Sequence, residues 1–296
     1  MRKGFLRVLS ALCAAALLSS LCPALAADES AEDIGAQVEA YLAQYNLTGE
    51  NITIGYRDLR SGEEYYYNGD AAFYGASLYK VALNMYYARE VARGSITWDT
   101  AYGGLPLRIL LEGSLIDSNN DYSYKMVKAL GGYARSRVAV APFYGMSENG
   151  AQNDRLYTSD SWITARQMIH CLDLLYYNHE EFPRVLRCML RADPDDYFRR
   201  DEDRWPIAQK YGYYFVRGYC VSAAGFVFTE APFALVVMTK STRDYKTRIA
   251  ELCTMFAEYN CRANSLPLPE APWTPEPEPG AGALLGAAAS LNARRG

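Results

Sequence analysis

Ser77 and Lys80 stand three residues apart at the start of a stretch of good helix formers. At that spacing a serine and a lysine share one helix face. A hydroxyl at a helix start meets the positive end of the dipole, and a nearby backbone N–H can face an oxyanion. A lysine one turn on can take the hydroxyl's proton if burial or a second cation destabilises its ammonium. The chemistry on offer is nucleophilic acyl transfer through Ser77. Alone, Ser-x-x-Lys is weak and better describes an N-capping serine followed by a surface lysine. Two further groups change its meaning. Ser118-Asn119-Asn120 follows an apolar helical stretch, and Lys210-Tyr211-Gly212 lies near the end of an expected strand. Each has a bland role by itself, a helix cap or an edge-strand lysine. Their order and placement together make coincidence improbable.

Other catalytic sets are poorly supplied. The chain has two histidines, His170 and His179, in or beside one amphipathic stretch, and a Ser-His-Asp arrangement needs such a base. No phosphate-binding loop, dinucleotide fingerprint or His-Glu-x-x-His zinc motif occurs.

Ser-x-x-Lys, Ser-x-Asn and Lys-x-Gly, in that order, form the signature set of serine β-lactamases and penicillin-binding proteins. The chain resembles the class A β-lactamase-like family over roughly Ala31 to Tyr259. The resemblance implies a secreted serine hydrolase that is acylated at Ser77. Lys80 would take the serine's proton, and Ser118 would relay it toward the leaving nitrogen. Asn120 would hold the substrate's side-chain amide, and Lys210 would face its carboxylate. Gly212, lacking a Cβ, would let the strand approach the substrate closely. The backbone N–H groups of Ser77 and Tyr213 would form the oxyanion hole. The expected substrate is a small-molecule β-lactam or a peptidoglycan stem peptide, with no metal and no organic cofactor. A D,D-peptidase acting on stem peptides and a non-hydrolysing acylated sensor are the alternatives. The domain is expected to be monomeric, with association to the cell wall.

Three positions depart from the pattern. Asn119 stands where class A enzymes carry aspartate, a form common in penicillin-binding proteins. Tyr211 replaces the usual threonine or serine. Class A enzymes also use a loop glutamate to orient the deacylating water. Here the corresponding loop offers Glu148, with Gln152 four residues on as an amide partner, and Asp154 as the other option. A solvated loop carboxylate is an equally good description of Glu148.

The elements that must position these groups follow from periodicity. Ala31 to Tyr45 is helical, and Asn51–Tyr56 with Glu64–Tyr67 reads as a hairpin. Helices are expected over Ser77–Arg93, Pro106–Glu112 and Tyr122–Leu130. Val138 to Asp154 lacks a period and reads as a long loop. Thr158, Ser159 and Asp160 offer caps for a helix reaching Tyr177, and a short helix starts near Phe182. Three strands, Ile207–Lys210, Tyr219–Thr229 and Phe233–Thr239, precede a final helix, Tyr245–Tyr259. The fold class is α+β: an antiparallel sheet of N- and C-terminal strands packed on helices, with a mainly helical middle.

Composition sets the outer bounds. A chain of 296 residues, half hydrophobic and with net charge -4, is ordinary globular material without the basic footprint that nucleic acids require. Residues 1–27 read as an export signal: Arg2, Lys3 and Arg7, an apolar run, then Ala24-Leu25-Ala26. This places the protein outside the cell or in its envelope. Residues 28–262 form the hydrolase domain, and 263–296 a Pro-, Ala- and Gly-rich tail expected to be disordered. The mature chain keeps Cys171, Cys188, Cys220, Cys253 and Cys261, an odd set best read as small buried hydrophobes. The 25 tyrosines are read chiefly as sheet packing, with a wall- or carbohydrate-facing surface as the sharper alternative.

Overall fold

The computed structural model describes residues 33–215 and 219–274. The expected export signal, residues 1–27, lies outside them. Helix α1 (Ile34–Gln44) is followed by β1 (Ile52–Asp58), β2 (Glu64–Tyr67) and β3 (Phe73–Tyr74). A 3-10 turn over Ala76–Leu78 runs directly into α2 (Tyr79–Ala92). Strands β4 (Ala101–Tyr102) and β5 (Leu105–Pro106) lead to α3 (Leu107–Leu115), α4 (Asn120–Ala129) and α5 (Tyr133–Val140). A second 3-10 turn, Ala141–Tyr144, precedes α6 (Glu148–Asn153), α7 (Arg155–Ser159), β6 (Trp162–Ile163), α8 (Ala165–Tyr177) and α9 (Pro183–Leu190). Then come a third 3-10 turn (Tyr197–Arg199), β7 (Ile207–Tyr214), β8 (Cys220–Val227), β9 (Phe233–Thr239) and α10 (Tyr245–Ala263).

The main sheet has the order β2-β1-β9-β8-β7, so N- and C-terminal strands share it as expected. All its pairings are antiparallel, and β1 meets β9 from Ile52 opposite Thr239 to Asp58 opposite Phe233. Alternation along the strands divides two cores. Ile54, Tyr56, Leu235 and Val237 pack with Val38 of α1 and Phe256 of α10. Val236 and Met238 face the other way, onto Ile169 and Leu172 of α8. A third cluster, Leu83, Tyr87, Leu107, Leu110, Met126 and Val127, holds the helical middle together.

Two expectations fail. Val138–Asp154 is not a long loop: it carries the end of α5, a 3-10 turn and α6. These are single turns without a repeating apolar period. Local caps and isolated anchors hold them instead: the Ser147 hydroxyl accepts from Gly150 N at 3.1 Å, and Phe143 and Tyr144 are buried. The helix expected from Thr158 also starts later. Thr164 is its N-cap, in a capping box with Gln167. Residues 162–163 are taken by β6, which pairs with β3. That pairing ties the loop to the strand leading into Ser77.

The five cysteines are buried, as expected of small hydrophobes. At the C-terminal end, helix α10 runs past residue 262, Leu266 N donates to Cys261 O at 2.8 Å, and Trp273 N donates to Asp203 O at 2.8 Å.

Candidate active site

Ser77 sits in the 3-10 turn between β3 and α2, half-buried. The turn is fixed from below, where Gly75 N donates to Ser161 O at 2.8 Å, one residue before β6. It is fixed from the side by β7. A Cβ built on Gly212 would lie 2.5 Å from Ser77 N and 3.0 Å from Gly75 O. Gly212 therefore brings the strand against the backbone of the Ser77 turn itself, rather than only toward a ligand. Ala76, just before the serine, has φ +47, a left-handed value that a non-glycine residue adopts at some cost.

Lys80, one turn into α2, is fully buried, with 0% exposure. Its Nζ donates to Ser118 O at 2.7 Å, to Asn120 Oδ1 at 2.8 Å and to Ser118 Oγ at 3.3 Å. Ser118 presents both oxygens because its own φ is +53, which folds the chain between α3 and α4 back on itself. From the opposite side Lys210 Nζ, also at 0% exposure, donates to Ser118 Oγ at 2.9 Å and to Tyr211 O at 2.8 Å. One hydroxyl thus lies between two ammonium groups. Burial lowers Lys80 to about 8. Burial first, and then the Lys80 charge, hold Lys210 well below the usual lysine range. Lys80 is therefore suited to act as a base near neutral pH. The direct hydrogen bond expected between Lys80 and the Ser77 hydroxyl is not formed: the lysine's three donors are engaged by Ser118 and Asn120.

The family profile described as the β-lactamase enzyme family matches residues 33–104 and 103–257, more than half of the chain. The chain belongs to the β-lactamase enzyme family. Among solved structures, an engineered variant of a reconstructed class A β-lactamase, the last common ancestor of Gram-negative bacteria, superposes with TM-score 0.65. It is 17% identical and covers 77% of this chain and 99% of its own. The TLA-3 extended-spectrum β-lactamase gives TM-score 0.62 at 15% identity, covering 76% of this chain and 97% of its own. At such identities the likeness establishes the fold. No curated protein sequence matches.

Within this β-lactamase-family domain the remaining expected residues separate. Asn120 opens α4, and its neighbour Asn119 caps that helix, its Oδ1 accepting from Tyr122 N at 3.1 Å. Lys210 and Gly212 share the face of β7 turned toward Ser77, while Tyr211 joins the opposite core. Its ring stacks on Tyr197 at 4.5 Å, and its hydroxyl donates to the carbonyl of Asp193. Lys210 Nζ also lies 4.1 Å from the centroid of the Tyr211 ring, so Tyr211 still borders the site. Tyr213 follows on the outer strand with its side chain exposed. Glu148 stands exposed at the start of α6 and makes no hydrogen bond to Lys80 or Ser77 among the described residues. Asp154 is used as a cap, its Oδ1 accepting from Tyr157 N at 3.0 Å. His170 is exposed, and His179 Nδ1 lies 2.9 Å from Tyr176 O.

Three residues that the motifs do not mark complete the site. Asn84 Nδ2 donates to Lys80 O at 2.7 Å and to Ser114 Oγ at 2.9 Å. Ser114 Oγ lies 2.9 Å from Ser123 Oγ, whose hydroxyl reaches Asn119 O at 2.8 Å. All three are fully buried. This hydrogen-bond chain leaves Lys80 at its carbonyl and ends on the carbonyl of Asn119, between the two residues that receive the Lys80 ammonium, so it links α2, α3 and α4. Polar residues one turn apart in helices (Lys80 and Asn84) were the available sequence signal.

Proposed function

We propose that this protein is a serine acyl hydrolase that acts on β-lactams or related amides and esters through an acyl-enzyme at Ser77. The observation that carries this reading is the Ser118 hydroxyl held between two buried, destabilised lysines beside the Ser77 turn. Neutral Lys80 takes the Ser77 proton as Oγ bonds to the substrate carbonyl carbon. The backbone N–H groups of Ser77 and Tyr213 receive the oxyanion. Collapse of the tetrahedral species breaks the bond to the leaving nitrogen or oxygen. Ser118 gives that atom its proton and is reprotonated by the Lys80 ammonium. Water then hydrolyses the ester on Ser77. Export and action in the cell envelope belong to the same reading, supported by the signal-like first 27 residues.

One observation favours a second reading for the later step. Lys80 is occupied by Ser118 and Asn120, Asp154 is used as a helix cap, and Glu148 is exposed. An acyl-enzyme here would decay slowly, as suits a D,D-peptidase on peptidoglycan stems or an acylated sensor. Intact-mass spectrometry with a penicillin and with nitrocefin separates the outcomes. A transient adduct with colour change supports hydrolysis, and a lasting adduct supports the second reading. Labelling that is identical in wild type and Ser77→Ala would sink both.

A further inference from the structure

Aromatic rings line up beside the Ser77 turn. Tyr214 shares a face of β7 with Lys210 and Gly212 by the two-residue alternation of a strand. Its ring centroid lies 5.1 Å from that of Tyr74, which lies 6.3 Å from that of Trp162. Tyr74 is on β3, just before the 3-10 turn of Ser77, and pairs across β6 with Trp162. The same turn is pressed against Gly212, two residues before Tyr214. The row Tyr214–Tyr74–Trp162 therefore borders the reactive serine.

These rings are held but not enclosed. Tyr214 is 36% exposed, and Tyr74 and Trp162 are half-buried. Sheet packing accounts for Tyr56 and Tyr211, which sit in the core, but not for a ring at the solvent end of the outer strand. The rings are inclined to one another, at 47° and 65°, so a flat apolar group would stack on the exposed ring of Tyr214 with the other two as its border. A sugar would need polar side chains around its rim. The nearest ones are engaged: Arg137 donates to Thr158 O at 2.7 Å, and Asp160 Oδ1 accepts from Ser161 N at 3.1 Å.

We propose that Tyr214, Tyr74 and Trp162 form a subsite for a flat, uncharged aryl group carried by the acyl donor, so that aryl-substituted donors are the preferred substrates. This rests on Ser77 being the acylated residue, and two measurements keep the claims apart. The first is calorimetric binding of N-phenylacetylglycinamide and N-acetylglycinamide to the Ser77→Ala protein, which cannot be acylated. The aryl probe should bind about tenfold more tightly, and Tyr214→Ala in that background should erase the difference while Tyr214→Phe keeps it. Equal binding of the two probes, or an aryl preference that survives Tyr214→Ala, overturns the subsite. So does displacement of the aryl probe by a neutral disaccharide at equal concentration, which would assign the row to sugars. The second is the rate of Ser77 acylation by a phenylacetyl and an acetyl penicillin. The wild type should favour the phenylacetyl donor, and Tyr214→Ala should slow that donor alone. Equal slowing of both donors overturns the specificity claim. Aryl binding without acylation of the wild type leaves the subsite standing and removes the hydrolase reading.

Discussion

Lys80, Ser118 and Lys210 come from three separate parts of the chain, yet hydrogen bonds join them in a volume where both lysines are sealed from solvent. Glu148, the sequence's candidate for orienting the deacylating water, stands exposed at the start of a six-residue helix. The first region is over-determined: a left-handed Ser118, a glycine without room for a methyl, and a chain of buried hydrogen bonds from Lys80 O to Asn119 O hold the same few residues. The second is held by caps that any short helix would use. On the proposed reading, forming and hydrolysing an acyl-enzyme are separable structural tasks, and the residues assigned to the first are the more firmly held.

Predictions can break or sharpen that contrast, and the largest concerns the nucleophile. Ser77→Ala should abolish covalent labelling in intact-mass spectra. Lys80→Met should reduce acylation by about 1,000-fold while the fold survives in circular dichroism, because an apolar side chain of similar size replaces a buried charge. Since only the neutral amine accepts a proton, wild-type acylation should rise with pH and level off above about 8, below the ordinary lysine value of 10.5. A profile still rising steeply at pH 10 would remove Lys80 as the base.

Gly212→Ala comes next. The added Cβ meets backbone rather than a flexible side chain, so the strand and the Ser77 turn must part. Acylation should fall about a hundredfold, with a loss of about 1–3 kcal/mol in urea unfolding. Asn84→Ala should slow acylation by about tenfold and move the pH midpoint, whereas a merely structural asparagine would lower stability and leave the midpoint in place. The smallest effect is expected at Glu148→Gln, with turnover within about twofold of wild type. Accumulation of acyl-enzyme in that variant would erase the contrast and make Glu148 the water-orienting base.

Much of the site was legible in the sequence because its chemistry needs fixed residue types at fixed spacing. Ser77 with Lys80, Ser118 with Asn120, and Lys210 with Gly212 are of that kind. The sheet was legible for a similar reason, since the apolar runs around Ile54, Ala224 and Val237 show a strand in any context. Asn84, Ser114 and Ser123 were not, because the one-turn spacing of Lys80 and Asn84, the single local signal, does not by itself mark burial. Their partners lie on other helices and become neighbours only once the fold forms. The 138–154 segment was misread because each of its turns is too short to repeat. Tyr211 looked like a damaged motif; its ring stacks on Tyr197 and its hydroxyl meets Asp193, while Lys210 Nζ stays over the ring.

Strand β7 is the outermost of the main sheet on its side. An unprotected outer strand offers its free backbone groups to any passing chain. In this protein the 3-10 turn carrying Ser77 packs on β7 and β8 together, over a face of the sheet, and helix α9 packs on the same outer strand. A change that loosens this packing, such as Gly212→Ala, should weaken the hold on the outer strand and leave a protein that clumps through β7 during expression or storage.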